Sequence, residues 1–181
     1  MDIRKIKTRQ AIKSAFLQLR KTKRLEEITV KELSVLAQIS KATFYLHYKD
    51  IFDLSESLQM EVIEQVLSQV QSPLDILTDR AKFSRDMAKA LEQEHLLVSA
   101  LFSDTQASAL PIRLEAQIKR AIFSEYPHLK DNARLNVQLS YHIQGGYYAY
   151  MENAHAIGMR RTQKIIDDIH SVSPIILEEE Q

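Results

Sequence analysis

The sequence predicts an all-α protein, and three observations carry that prediction. Only three Gly and four Pro occur among 181 residues, while Leu, Ile, Ala, Gln, Glu and Lys are plentiful, a balance that favours helix. Apolar residues recur at helical spacing in one segment after another. Side chains able to start a helix stand at Thr29, Ser40 and Asp50, ahead of several of these segments. The length fits one large domain or a small domain joined to a medium one, and either buries a substantial core.

The first helix is expected over residues 2 to about 22, with Ile12, Ala15, Phe16 and Leu19 as its buried stripe and Ile3 and Ile6 as a looser extension. Arg4, Lys5, Lys7 and Arg9 precede the well-patterned part. They can lie along phosphates, reach a minor groove as a flexible arm, or simply be solvated. Arg20 to Arg24 closes the helix with cations that suit its negative dipole end, and Leu25 and Ile28 return the chain to the core.

Two short helices follow between Ile28 and Lys49. Thr29-Val-Lys-Glu32 has the form of a capping box, and Ser40 supplies a second N-cap just after the apolar Ile39. Leu33, Leu36 and Ala37 give the first helix one buried stripe. In the second, Phe44 and Tyr48 share a core-facing side and leave Lys41, Thr43, Tyr45 and His47 pointing elsewhere. Two helices of about eight residues joined by a turn of about four have the dimensions of a helix-turn-helix. A short second helix with Lys and Thr in its first turn suits recognition of base edges in a major groove.

Asp50 is placed to cap a long helix carrying Leu54, Leu58, Val62, Leu67 and Val70, which Ser72-Pro73 ends. Shorter helices are expected over 74–92, 94–102 and 107–125, with Pro111 in a first turn. From Asn132 to Ala156 the pattern is apolar nearly all round. Leu135, Leu139, His142, Ile143, Gly146, Tyr150 and Ala154 form one face; Val137, Tyr141, Tyr148 and Met151 form another. Such a helix must be covered on both sides; one side can be its own bundle and the other a second copy of the chain. Gly145-Gly146 in mid-helix costs about 1 kcal/mol per Gly, which fits close approach of another backbone or a kink beside a ligand cavity. Gly158 ends this helix, and Ile165, Ile166 and Ile169 mark a last one from Arg160 to Ser171. Pro174 stops it, and Glu178 to Glu180 reads as a frayed acidic tail.

Net charge is zero, but it is divided. Residues 1–50 hold twelve Lys/Arg against five Asp/Glu, and residues 51–181 hold twelve against nineteen. A surplus of seven cations at one end and seven anions over the rest is the footprint of a chain in which one part meets phosphate.

The run T-V-K-E-L…A-x-I-S-K-A-T-F-Y-x-H-Y-K between Thr29 and Lys49 closely resembles the N-terminal DNA-binding domain of the tetracycline-repressor (TetR/AcrR) family of transcriptional regulators. The likeness covers roughly the first 55 residues, and a match over so many positions is more specific than a short motif. The family usually has Gly in the turn where this chain has Gln38. A non-Gly residue at positive φ costs about 1 kcal/mol, so Gln38 is either strained or the turn is reshaped.

The resemblance implies a three-helix helix-turn-helix domain at 1–49 and a larger helical bundle for effector binding and dimerisation at 50–181. It implies a homodimer on a pseudo-palindromic operator in double-stranded DNA. Thr29, Lys41, Ala42, Thr43, Tyr45, His47 and Lys49 are then the DNA-contact candidates. Ala42 and Thr43 are assigned to base edges, and Tyr45, His47 and Lys49 to phosphates. A cavity for a small-molecule effector is implied in the 74–130 region, without a motif to fix its residues. Phe83, Phe102, Phe123 and Tyr141 are candidate wall residues, although core packing accounts for any one of them. Dimerisation through a C-terminal helical hairpin is implied, with Ile143, Gly146, Tyr147, Tyr150, Ile165 and Ile169 as interface candidates. An inducer would release the operator; a protein partner as the signal, or activation instead of repression, are the alternatives.

Other chemistry finds little footing. The chain has no Cys, which fits a reducing cytoplasm. No apolar run reaches about 18 residues and the charged N-terminus lacks an apolar h-region, so a cytoplasmic protein without a membrane span is expected. His95, His128, His142, His155 and His170 show no metal-ligand spacing. Neither a Gly-rich phosphate loop nor a Gly-x-Ser-x-Gly elbow occurs. Neither an enzyme nor a cofactor is expected; a helical enzyme with one basic end is the rival, and it predicts small-molecule binding without DNA affinity.

Overall fold

The computed structural model describes residues 3–175, and every regular element among them is helical. In chain order the helices are α1 (Ile3–Arg20), α2 (Val30–Leu36), α3 (Lys41–Tyr45), α4 (Ile51–Gln69), α5 (Asp75–Thr78), α6 (Arg80–Gln93), α7 (His95–Leu101), α8 (Ala109–Glu125), α9 (Ala133–Ile157) and α10 (Met159–Val172). Single 3-10 turns occupy Leu25–Glu27, Asp104–Gln106 and Pro127–Leu129. No helix among the described residues is long and apolar enough to cross a membrane. The acidic stretch at Glu178 to Glu180 lies outside the described residues.

The one long helix expected over 74–92 is two. Asp79 breaks it at φ −141°, ψ 75°, and its carboxylate then starts α6 by accepting from the Lys82 N–H at 2.9 Å. An Asp competing with its own backbone is the ordinary reason for such a break.

The chain forms two compact units. One comprises the residues through Val62 together with Glu94–Ala107; the other comprises Ile63–Gln93 and the chain from Ser108 onward. The expected boundary at 49/50 therefore differs from the division seen, which falls inside α4. The 94–107 segment also joins the first unit, for a reason no apolar pattern announces. Arg20 reaches it from α1, donating through Nε to Ala100 O (3.0 Å) and through Nη2 to Ser103 Oγ (2.5 Å). Its Nη1 donates to Lys23 O at 2.8 Å. Gln59 donates to Leu101 O at 2.9 Å, and Thr105 donates to Glu26 at 2.7 Å. Arg20, expected as a cation at a helix end, is buried.

In the first unit the core is Ile12, Ala15, Phe16 and Leu19 of α1 with Leu25, Ile28, Leu33, Ala37, Phe44, Tyr48, Leu54 and Leu58. Each such side chain contributes about 1.5–3 kcal/mol when fully buried. Two expectations fail. Ile3 and Ile6 lie on the surface, and in α2 Leu36 is exposed while Ser34 is buried in its place. In the second unit α10 packs against α9 and α6, and α8 against α9. Asn132 caps α9 by accepting from the Leu135 N–H at 2.8 Å. Gly158, at φ +90°, separates α9 from α10 in a conformation that L side chains avoid.

Candidate functional site

The surface around α3 is built from two N-caps and one aromatic anchor. Thr29 Oγ1 accepts from the Glu32 N–H at 3.2 Å, which leaves the Thr29 hydroxyl proton for an outside acceptor. The reciprocal half of the expected capping box does not form, because the Glu32 carboxylate binds Lys23 Nζ at 2.6 Å. Ser40 Oγ accepts from the Thr43 N–H at 2.9 Å and lies 2.8 Å from the Thr43 hydroxyl. Of these two hydroxyls one donates to the other, so one proton remains to point outward.

The turn between α2 and α3 closes as a Schellman motif. Ile39 N–H donates to Ser34 O at 3.0 Å and Gln38 N–H to Val35 O at 3.1 Å, the two bonds that satisfy the last carbonyls of α2. That motif needs a left-handed residue, and Gln38 supplies it at φ +55°. The turn therefore keeps its shape and Gln38 carries the strain.

Phe44 is fully buried and Tyr48 nearly so, their rings 5.9 Å apart. They fix the rotation of α3, so Lys41, Ala42, Tyr45 and Lys49 are exposed and Thr43 and His47 half-buried. Lys21, Lys31, Lys41 and Lys49 have no carboxylate partner among the described residues. By contrast Arg9 and Lys13 both bind Glu61 at 3.0 Å. Residues 4–9 are part of α1 and not an extended arm. Thr29, Lys41, Ala42, Thr43, Tyr45, His47 and Lys49 all belong to this first unit.

The second unit holds a cavity with about 620 Å³ of space not filled by atoms, part of it open to solvent. Its apolar wall includes Phe83, Met87, Leu91, Leu114 and Ile118; its polar side is Arg80, Ser84, His142, Gln163 and His170, with Tyr147 and Tyr150. Arg80 Nη2 donates to His170 O at 2.8 Å, while Arg80 Nε, Gln163 Oε1 and His170 Nδ1 are buried without a protein partner. Burial lowers the His142 pKa from 6.5 to about 4, with the charge of Arg80 and then His170 adding to the effect. Burial also pushes His170 down, Arg80 adding to it and Asp167 opposing. The two imidazoles meet edge to face at 5.6 Å, and both shifts favour the neutral ring.

Only one of the four expected wall residues lines this cavity. Phe83 lines it, but Phe102 is buried in the first unit, Phe123 is not among the lining residues, and Tyr141 is 69% exposed. The reason is helical phase: Tyr141 precedes His142 by about 100° of rotation and so points away. The expected dimer-interface residues divide between the cavity and the surface. Ile143, Gly146, Tyr147 and Tyr150 face the cavity, and only Ile165 and Ile169 are exposed. The open apolar face consists of Val137, Tyr141, Tyr148 and Met151 on α9 with Ile165, Ile169 and Val172 on α10. A Cβ added at Gly145 or Gly146 would meet nothing within 4 Å, so no backbone of this chain crowds them. Gly146 lines the cavity.

Arg80, Gln163 and His170 went unseen in the sequence. A signal existed in α10, where Thr162, Ile166 and His170 repeat every four residues on its buried face, marking His170 as inward. Among the described residues no three His, Asp or Glu side chains converge to hold a metal ion. Comparison with protein-family models, with curated proteins and with solved structures finds no match to this chain.

Proposed function

We propose that this protein is a DNA-binding transcriptional regulator, a repressor that works as a homodimer and is released by a small-molecule effector. The observation that carries the reading is the α3 surface. Phe44 and Tyr48 anchor the helix from behind, and its capped N-terminus presents Lys41, Ala42 and a Ser40/Thr43 hydroxyl pair, with Lys49 beyond. That arrangement suits base-edge contact from the first turn and phosphate contact at its flanks. The likeness of Thr29 to Lys49 to the tetracycline-repressor family supports the same reading, as does the cationic first fifty residues beside an anionic remainder.

The exposed apolar face of α9 and α10 supports dimerisation through a four-helix contact, because an apolar face of this extent is seldom left to water. The cavity supports a metabolite as the signal, since it is concave, largely apolar and furnished with a few polar groups. An effector with unequal affinity for two dimer arrangements would shift the spacing of the recognition helices and so release the operator.

The test is fluorescence anisotropy on DNA from the region upstream of the protein's own coding sequence, with scrambled competitor, at two salt concentrations. Specific binding at about 0.15 M salt, with two chains per site, is the expected result. If that region is silent, selection from a pool of random duplexes is the next step. Equal loss of matched and scrambled DNA, in both experiments, would leave only a basic surface and refute the reading.

A further inference from the structure

We propose that the cavity of the second unit takes an amphipathic organic anion, its acidic head held at Arg80 and its apolar body along Phe83, Met87, Leu91, Leu114 and Ile118. The proposal rests on reading this cavity as the effector site and adds the chemical class of the effector.

Charge decides the head group. Arg80 and two imidazoles line the polar side, and none of the lining residues is Asp or Glu. Arg80 is half-buried, and a guanidinium drawn partly out of water normally has a carboxylate beside it, because an unpaired charge away from solvent is costly. Among the described residues Arg80 has none. The acid that acts on neighbouring His170 is Asp167, and its carboxylate is already committed, to Arg85 at 2.9 Å and to Gln163 Nε2 at 2.9 Å. Arg80 meets only a carbonyl, through Nη2, and its Nε–H is buried without a protein partner.

Geometry agrees. A guanidinium offers its donors in a planar fork that matches a carboxylate, and here one arm is occupied by His170 O while Nε is not. His170 Nδ1 and Gln163 Oε1 are also buried and unpartnered. A head group accepting from Arg80 Nε–H, and from His170 in its Nδ1–H tautomer, would satisfy groups that the fold leaves unmet, and a hydroxyl or N–H next to it would satisfy Gln163. A cationic ligand would meet Arg80 with like charge. A wholly apolar one would leave these polar groups desolvated and unpaired.

The test compares matched probes on the full-length protein by isothermal titration calorimetry: decanoate with decan-1-ol, and 4-phenylbutyrate with 4-phenylbutan-1-ol. At least one acid is expected to bind at one per chain and at least tenfold more tightly than its alcohol. Arg80→Gln should abolish that preference, lowering the acid's affinity far more than the alcohol's. Wild-type protein alone decides the matter should Arg80→Gln fail to fold: if neither acid exceeds its alcohol, the proposal is overturned. So too if a folded Arg80→Gln keeps the preference. DNA anisotropy separates the two claims. Acid preference in a protein that binds no DNA specifically would sustain the ligand class and sink the regulator; specific DNA binding without acid preference would do the reverse.

Discussion

Replacing Arg20 by Ala tests how the first unit is held together. The Arg20 side chain is 2% exposed and makes three hydrogen bonds of 3.0, 2.8 and 2.5 Å to Ala100 O, Lys23 O and Ser103 Oγ. Asp104 lies 3.6 Å from Nη2 but is 45% exposed, so it adds little. Hydrogen bonds to a charged group are worth about 1.5–3 kcal/mol each, and the cost of burying the guanidinium opposes them. Truncation refunds that cost but strands two carbonyls and opens space on α1. The expected loss is about 3–5 kcal/mol, a large fraction of a stability of about 5–15 kcal/mol. Arg20→Lys keeps the charge but cannot fork across three acceptors, so a smaller loss of about 1–3 kcal/mol is expected. Urea unfolding at fixed protein concentration measures both, because association would otherwise shift the midpoint. Hydrogen exchange should locate the effect, with the amides of α7 losing protection in Arg20→Ala. A change below about 1 kcal/mol, with α7 protection intact, would refute the assignment.

Gln38→Gly should raise stability by about 0.5–1 kcal/mol, the relief of a left-handed side chain less the extra freedom of Gly in the unfolded chain; a fall in the melting temperature would contradict the strain at φ +55°. Stability should fall as pH drops from about 6.5 towards 4, by up to about 3 kcal/mol from His142, whose folded pKa is lowered to about 4. The unfolded ring takes a proton that the folded one, facing Arg80 and His170, resists, so the contribution is complete above 6.5. His142→Gln should flatten that slope, and an unchanged slope in urea midpoints would remove His142 as its source. Lys49→Ala should weaken binding to all DNA and reduce the slope of log affinity against log salt by about one; lost sequence discrimination at unchanged slope would take Lys49 off the phosphates. Tyr141→Asp combined with Ile169→Asp should convert the proposed dimer to monomer in sedimentation equilibrium, and a dimer that survives would place the interface elsewhere.

The all-α class was legible because it rests on short-range signals. Thr29, Ser40, Asp50 and Asn132 accept the N–H groups that start their helices, and each does so within three residues. Phe44 and Tyr48 were equally readable, four residues apart on a short helix. The polar anchors were not. Arg20 meets Ser103 across 83 residues of chain, and Gln59 meets Leu101 across 42. Neither side chain differs in type from one that faces water, so only packing shows that the 94–107 segment folds onto the first unit.

That four of the expected interface residues line the cavity has a related reason. Both stripes of α9 are apolar, and hydrophobicity cannot say which of two apolar stripes turns inward. The residues that choose are polar ones between the stripes. Ser140 donates to Glu115 at 2.5 Å and receives from Lys119 Nζ at 3.0 Å, Gln144 donates to the same carboxylate, and Glu115 and Lys119 pair along α8 at 2.7 Å. This half-buried network fixes the rotation of α9 against α8, because turning the helix by one residue would strand four polar groups at once. With Ser140 and Gln144 held against α8, His142, Ile143, Gly146 and Tyr150 must line the cavity. Val137, Tyr141, Tyr148 and Met151 must then face out, where a second copy can cover them.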